Sequence, residues 1–210
     1  MEKFDLLKPP LFGNSHSSKT YDELTASDWI ASFNLWIVRE GKNPSLLYQL
    51  RGKSRAWAPG KLDVPVGGKI SAGETVVEGG LREAKEEIGK SYKSTELSFI
   101  GRRLNVNVDA DGKIINTVPH IYFVLDNTPL TGFKILPDEL DGLYECNIDS
   151  LMKLHEKKIT SFLADGIDSS KKKSKLSITS ELFPENWANY HHKIAHLAKR
   201  FVEGEEDLIY

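Results

Sequence analysis

The segment between Gly68 and Lys90 constrains the fold more than any other part of the chain. It reads GKISAGETVVEGGLREAKEEIGK and follows a short apolar run. The pattern predicts an amphipathic helix from about Glu74 to Ile88, with Gly89 as its C-terminal stop. At about 100° per residue, four apolar side chains share one face of this helix: Val77, Leu81, Ala84 and Ile88. Such a helix is stable when that face packs on another element.

Strands are predicted on both sides of this helix. Apolar and alternating runs separated by turn-forming residues indicate strands at 29–39, 46–51, 62–66, 97–107, 114–125 and 143–148. A second helix is expected from Asp149, as its N-cap, to about Lys157, and a long amphipathic helix from about Glu185 to Glu203. Strands interleaved with a few helices indicate a mixed α/β domain.

The same patterns divide the chain of 210 residues into four parts. Residues 1–27 have little periodicity and are interpreted as an N-terminal leader, and residues 28–157 as the main domain. Residues 158–180 lose periodicity around a run of lysines and are predicted to be a flexible loop or linker. Residues 181–210 are expected to form a C-terminal helix and an acidic tail that pack on the domain.

Charge and cysteine content argue against several classes of protein. The formal net charge is -2, so binding of nucleic acid through bulk basic charge is disfavoured. The single cysteine, Cys146, permits no intramolecular disulfide and fits a reducing compartment. Neither a signal-peptide pattern nor an apolar run of roughly 18 residues is visible, which predicts a soluble, cytoplasmic protein without membrane contact. The oligomeric state is open, and a homodimer is one of the states that the sequence allows.

The polar face of the predicted helix carries three carboxylates. Glu83, Glu86 and Glu87 are spaced i, i+3 and i+4, so they lie within reach of one another. Crowded carboxylates repel and raise one another's pKa, and a hard divalent cation such as Mg²⁺ or Mn²⁺ relieves that repulsion. Arg82 can tether this face, with Glu74 behind it. Taken alone, the cluster is better explained as a solvated acidic face of an amphipathic helix.

The wider frame of the segment decides between these interpretations. Seven residues match the pattern G-x5-E-x7-R-E-U-x-E-E-x-G: Gly68, Glu74, Arg82, Glu83, Glu86, Glu87 and Gly89. The chain thereby resembles the Nudix hydrolase family. The resemblance continues in the lead-in at 59–68 and in the acidic stretch at 137–144. Two departures are Lys90, where the family usually has an apolar residue, and Gly79-Gly80 inside the helix, which close approach of a strand or a substrate would rationalise.

The resemblance implies a Nudix-type α/β/α sandwich with a mixed β-sheet and a catalytic loop-helix-loop. It also implies Mg²⁺-dependent (or Mn²⁺-dependent) hydrolysis of a diphosphate bond in a nucleoside diphosphate linked to another moiety X. By the same resemblance the metal is held by Glu83, Glu86, Glu87 and the carbonyl of Gly68, and Glu83, Glu86 and Glu139 are the catalytic candidates. Glu139 is the leading candidate for general base, ahead of three other acids: Asp138, Asp141 and Glu145.

Other residues are weaker candidates. Arg51, at a strand end, is expected to hold phosphate, and Trp57 to stack on a base, although Trp57 could equally be a packing residue. Lys53 and Arg55 fit plain surface charges as well as phosphate contacts. His192 and His196 have the i, i+4 spacing of a metal pair, but no acidic or cysteine partner lies at a recognised spacing, so the sequence does not favour a zinc site.

Two other functions are compatible with the same fold. An enzyme similar to isopentenyl-diphosphate isomerase would need a catalytic cysteine before the helix, and Cys146 lies well after it, at a position that fits a small buried residue better than a nucleophile. A non-catalytic Nudix-fold binding module would leave three clustered carboxylates without a metal to offset their repulsion. Both alternatives are therefore disfavoured relative to the hydrolase.

Overall fold

The computed structural model describes residues 1–9, 11–109, 111–136, 138–184 and 188–210. This part of the chain contains twelve β-strands: Lys3–Lys8 (β1), Gly13–Thr20 (β2), Trp29–Arg39 (β3), Ser45–Arg51 (β4), Leu62–Asp63 (β5), Val66–Lys69 (β6), Ser98–Arg102 (β7), Asn105–Val108 (β8), Ile114–Leu125 (β9), Leu140–Asn147 (β10), Ser161–Asp168 (β11) and Lys173–Thr179 (β12). Its α-helices are Val76–Ile88 (α1), Ile148–His155 (α2) and Ala188–Val202 (α3). Short 3₁₀ helices span Ser94–Glu96, Leu130–Gly132 and Ser180–Leu182.

The long strand β3 organises a mixed sheet. It pairs in parallel with β9 over its whole length, from Trp29 opposite Asn116 to Val38 opposite Leu125. Its other partners, β1, β4 and β6, run antiparallel to it. On one side the sheet continues from β4 through β10 and β11 to β12, and on the other it continues through β1 to β2. The parallel pair in an otherwise antiparallel sheet confirms the predicted mixed topology.

Alternate residues of β3 supply two cores on opposite faces of the sheet. Trp36 and Val38 are fully buried in a cluster that includes the apolar faces of α2 and α3. Phe33, Leu35 and Ile37 belong to a second cluster, which contains Ala84 and Ile88 of α1. Since neighbouring side chains of a strand point to opposite faces, helices cover both faces of the sheet. This arrangement is the predicted α/β/α sandwich.

Helix α1 begins and ends where local signals place its boundaries. Thr75 is the N-cap, and it forms a capping box with Glu78, whose Oε2 accepts from the Thr75 backbone N–H at 2.9 Å. Gly89 ends the helix with φ 69°, the left-handed conformation that favours glycine. The helix starts two residues later than predicted because Glu74 precedes the cap and instead binds Arg82.

The paired glycines within α1 allow close contact with the sheet. A Cβ on Gly80 would lie 2.3 Å from Cδ2 of Phe33, and one on Gly79 would lie 2.8 Å from Cδ1 of Ile70. Larger residues at these positions would push the helix away from β3. Close approach of a strand therefore explains the helix-weakening glycines.

Residues 158–180 are not a flexible linker, and that prediction is wrong. They include the hairpin β11–β12, in which β11 pairs with β10 and extends the sheet. Phe162 faces Ile178 across the hairpin, Ile178 is fully buried, and Ala164 is 2% exposed. The inward positions of β11 include the small residues Ala164 and Gly166, and the apolar Leu163 faces solvent, so the period of two is weak in the sequence of this strand. The lysine run occupies the turn and the start of the edge strand β12, where lysine is a common feature.

The N-terminal residues are also not a detached leader. Strands β1 and β2 form a hairpin, and β1 pairs with β3. The backbone N–H of Ala72 donates to the carbonyl of Lys3 at 2.7 Å, and that of Gly73 donates to Asp5 at 3.0 Å. The hairpin therefore holds the loop before α1. Its residues are mostly polar and partly exposed, so their sequence carries little hydrophobic period.

The strands β3 and β9 have the predicted boundaries, whereas several other elements differ from the predictions. The strands predicted at 62–66 and 97–107 are each divided in two. Asn147, not Asp149, caps α2, since its Oδ1 accepts from the N–H of Ser150 at 2.9 Å. The first residues predicted for the last helix, 185–187, lie outside the described residues, as does residue 137 of the acidic stretch. None of the helices in the described ranges is both long and apolar enough to cross a membrane.

Candidate active site

A cleft of about 330 Å³ lies beside α1 and collects most of the predicted site residues. Among its lining residues are five that the sequence singled out: Arg51, Trp57, Gly68, Glu87 and Glu139. Glu83 and Glu86 do not line it, although they belong to the same helix. The tertiary structure thus brings together a strand end, the loop after it, the acidic helix and the turn before β10.

The backbone at the end of β6 lies directly against the acidic face of α1. The N–H of Gly67 donates to Oε2 of Glu87 at 3.0 Å. A Cβ on Gly68 would lie 2.3 Å from the carboxyl carbon of Glu83 and 2.5 Å from its Oε1. Residue 68 must therefore be glycine for the Glu83 carboxylate to occupy this position. The contact places the Gly68 backbone beside two of the three predicted ligands.

Two carboxylates of this face, Glu87 and Glu83, lie in an environment that disfavours their charge. The pKa of Glu87 is raised to about 8, chiefly by desolvation and also by the neighbouring Glu83, Glu139 and Asp63 carboxylates, while the Gly67 N–H opposes the shift. The pKa of Glu83 is also raised, chiefly by desolvation, although Arg82 opposes this. A cation placed among these groups would offset their repulsion.

Arg82 organises the outer part of the acidic face. Its guanidinium donates to both oxygens of Glu74, at 2.9 and 3.1 Å, to Glu83 at 2.9 Å and to Glu86 at 3.3 Å. These carboxylates raise the pKa of Arg82, with the hydrogen bond to Glu74 as the largest cause. The predicted tether is present, and it links Glu74 to the helix face.

The donor set is suited to a hard cation. Glu83, Glu86, Glu87 and the Gly68 carbonyl offer only oxygen atoms, as Mg²⁺ and Mn²⁺ prefer. Among the described residues, however, the three carboxylates are not gathered to within 4.8 Å of one another. Glu83 and Glu86 are instead paired with Arg82. Cation binding would need rotation of these side chains, which lie on one helix face and need no backbone movement.

A fixed arginine lies on the wall of the cleft. Arg51, at the end of β4, donates from Nε to the carbonyl of Trp57 at 3.0 Å and from Nη1 to Oδ2 of Asp63 at 3.2 Å. Its guanidinium also lies 4.8 Å from the centre of the Trp57 ring. Asp63 is buried, and desolvation raises its pKa although Arg51 opposes the shift. Arg51 is therefore held in one orientation, with Trp57 packed on it.

The turn before β10 carries one acid to the cleft. Glu139 lines the cleft and lies 3.8 Å from Nη1 of Arg55, and its backbone carbonyl accepts from the N–H of Gly52 at 2.7 Å. The competing acids lie elsewhere: Glu145 pairs with Arg39 at 3.0 Å, and neither Asp138 nor Asp141 is a lining residue. Geometry thus separates Glu139 from the other three.

The sequence analysis missed several residues that line the cleft. Tyr21, from the N-terminal region, donates to Oδ2 of Asp109 at 2.8 Å, and Nζ of Lys69 lies 5.3 Å from the centre of the Tyr21 ring. Desolvation lowers the pKa of Lys69. No local pattern marks Tyr21 or Asp109, because the contact joins residues 88 positions apart.

Four residues that the sequence marked as weaker candidates do not line the cleft: Cys146, Lys53, His192 and His196. Cys146 is fully buried, and burial raises the pKa of its thiol, so it is unsuited to act as a nucleophile. Lys53 is exposed and does not line the cleft. His192 and His196 lie on α3, and neither is a lining residue of the cleft.

The sequence matches a family model and known proteins. The model of the NUDIX domain matches residues 30–165. An uncharacterized Nudix hydrolase of Clostridium acetobutylicum is 33% identical over 142 residues, which are 66% of this chain and 66% of that protein. Nudix hydrolase 3 of Arabidopsis thaliana is 30% identical over 119 residues, which are 55% of this chain and 15% of that protein. The chain thus spans two thirds or less of the length of these relatives.

Solved structures support the fold. The Deinococcus radiodurans protein DR0079 superposes with a TM-score of 0.51 at 21% identity, over 72% of this chain and 86% of that one. A MutT/nudix family protein from Enterococcus faecalis gives a TM-score of 0.51 at 15% identity, over 90% of this chain and 66% of that one. At these identities the likeness concerns the fold alone.

Proposed function

The chain belongs to the Nudix hydrolase family, and from that premise we propose that it is a Mg²⁺-dependent (or Mn²⁺-dependent) diphosphohydrolase. Its substrate would be a nucleoside diphosphate linked to another moiety X, and the reaction would hydrolyse the diphosphate bond. One observation carries the proposal. The acidic face of α1 meets the cleft at Glu87, and the guanidinium of Arg51, which Asp63 holds, belongs to the lining of the same cleft.

The acidic face supports a metal-dependent reaction. Glu83, Glu86, Glu87 and the carbonyl of Gly68 would hold the cation. A bound Mg²⁺ would neutralise the diphosphate and lower the pKa of a water molecule. Burial and neighbouring acids disfavour the ionised form of Glu87 and raise its pKa. A bound cation would offset the free-energy cost of ionising this carboxylate.

The other cleft residues have separate tasks in this proposal. Arg51 donates to a phosphate oxygen from an orientation that Asp63 and the Trp57 carbonyl hold. Trp57 offers the rest of its surface for contact with a nucleobase or with X. Glu139 would take a proton from the attacking water, and Glu83 and Glu86 would help to hold the cation. Arg55 lies beside this carboxylate, with Nη1 3.8 Å from Oε1 of Glu139.

The isomerase-like alternative receives no support, because Cys146 is buried on β10. A binding module on the same fold would use the same cleft without turnover. The test that separates hydrolase from module is a screen of diphosphate compounds with Mg²⁺ or Mn²⁺, in which products and bound ligand are both measured. Release of phosphate or nucleotide that stops in excess EDTA supports the hydrolase. Saturable binding without product, or turnover in excess EDTA, would rule it out.

The cellular compartment, the ligand and the oligomeric state of the protein are also proposals. A single buried thiol fits a reducing compartment, and we propose the cytoplasm. The partner would be a small diphosphate compound. The net charge of -2 argues against nucleic acid as a ligand. A homodimer stays a prediction, which sedimentation analysis would test.

A further inference from the structure

A second cluster of ligating side chains lies away from the cleft, where α2 meets α3. Glu156 directly follows α2, and His192 and His196 are one turn apart on α3. One atom from each lies within 4.8 Å of the other two. In the part of the chain that the structure describes, this is the only such group of three His, Cys, Asp or Glu residues. None of them lines the cleft.

The spacing of the three atoms fits a transition metal. Nε2 of His192 and Nε2 of His196 are 2.9 Å apart, and each lies 3.9 Å from Oε1 of Glu156. A point about 2.1 Å from all three atoms lies within this triangle, and zinc binds imidazole nitrogen at about 2.0–2.1 Å and carboxylate oxygen at about 2.0–2.2 Å. The side chains need little movement to become ligands.

The surrounding contacts hold these groups in place. Lys158 binds the other oxygen of Glu156, with Nζ 2.8 Å from Oε2, so Oε1 is left to face the histidines. Lys199 on α3 pairs with Asp149 on α2 at 2.8 Å, which fixes the two helices beside each other. The side chains of the cluster are 27–45% exposed, so an ion can reach them from solvent and a water molecule can complete its coordination.

We propose that Glu156, His192 and His196 bind Zn²⁺, and that the ion joins the end of α2 to α3. Two imidazoles and one carboxylate are ligands that suit zinc, whereas Mg²⁺ prefers an all-oxygen set. Glu156 lies far before the histidines in the sequence, so no local spacing reveals it. The structure supplies the acidic partner whose absence from the sequence pattern argued against a zinc site. The proposal is independent of the hydrolase activity.

The test is a calorimetric titration of the full chain with Zn²⁺ in the presence of millimolar Mg²⁺. Thermal unfolding with and without Zn²⁺ is measured in addition. The variants are His196→Gln and Glu156→Gln, with Glu203→Gln as the matched control just beyond α3. The wild type and the control should bind one equivalent of Zn²⁺ that the two ligand variants lack. Loss of a direct ligand should weaken that binding by at least about a hundredfold, since loss of a group that only hydrogen-bonds to a ligand costs about 10- to 100-fold.

Thermal unfolding gives an independent readout. Zn²⁺ should raise the melting temperature of the wild type and of Glu203→Gln, since it binds the folded chain, and should raise that of the ligand variants less. Unfolding in chelator checks that every variant is folded. Equal Zn²⁺ stoichiometry and affinity in the wild type and in both ligand variants would overturn the proposal. So would a wild type that binds no Zn²⁺.

Discussion

The carboxyl carbon of Glu83 lies in the space that a side chain at residue 68 would occupy. A Cβ on Gly68 would come within 2.3 Å of it. The glycine of the predicted motif is therefore required by a contact with the first acid of the same motif. Both residues belong to the pattern by which the sequence resembles the Nudix family, and the structure gives a physical reason for their pairing.

Substitution of Gly68 by alanine should displace Glu83 and lower turnover. We expect a loss of stability of about 1–3 kcal/mol, because the added methyl group overlaps a carboxylate whose helix is packed on the sheet. Gly13→Ala is the control, since nothing lies within 4 Å of a Cβ at that position. Thermal unfolding and turnover would be measured together. Equal behaviour of the two variants would show that Glu83 does not depend on the glycine.

Glu86→Gln should lower turnover by at least about a hundredfold with little change in folding. The amide keeps the volume but removes a charged oxygen ligand, and lost transition-state stabilisation should amount to about 3 kcal/mol. Glu78→Gln is the control on the same helix. Glu78 accepts hydrogen bonds from Thr75 in the capping box, and an amide oxygen can accept them too. Similar turnover in both variants would mean that the acidic face is only a solvated surface.

Glu87→Gln should stabilise the metal-free protein in a pH-dependent manner. Burial raises the pKa of Glu87 from an ordinary 4.5 to about 8, so the folded state holds the proton more tightly than the unfolded state. Ionisation of Glu87 therefore lowers the free energy of unfolding of the wild type. This loss is absent below about pH 4.5, grows between about pH 4.5 and about pH 8, and is constant above about pH 8. The variant lacks this loss, which is on the order of a few kcal/mol.

The measurement is chemical unfolding of the wild type and Glu87→Gln in EDTA at pH 5 and at pH 9. The gain in free energy of unfolding should be small at pH 5 and largest at pH 9. Glu96→Gln is a control, because Glu96 is exposed. A difference between wild type and Glu87→Gln that does not vary with pH would contradict the prediction.

Ile178→Ala should destabilise the protein by about 2–4 kcal/mol, because Ile178 lies on β12 and its side chain is fully buried. Leu163 on the partner strand is 70% exposed, and Leu163→Ala should change stability by less than about 0.5 kcal/mol. Denaturant unfolding of both variants measures the difference. Equally small effects would indicate that the hairpin does not dock on the sheet.

Local signals predicted the elements that depend on neighbours in the chain. The limits of β3 agree with the prediction, and α1 ends at Gly89 as expected. The hairpin β11–β12 was missed because β11 has small residues at inward positions, such as Ala164, and because the lysines of the turn and of β12 resemble those of a linker. The hairpin β1–β2 was missed for a related reason, since few of its side chains are buried.

The sequence by itself determined the family and the acidic set of α1, because helical periodicity places Glu83, Glu86 and Glu87 on one face whatever surrounds the helix. Tertiary structure alone decided which groups face them. It separated Glu139 from three neighbouring acids, packed Trp57 on Arg51, and brought Tyr21 into the cleft. It also placed Glu156 beside the histidines of α3. Apart from the Arg51–Trp57 contact, which joins residues six positions apart, these contacts join residues that are distant in the chain. Such pairing depends on how the sheet and helices pack rather than on local spacing.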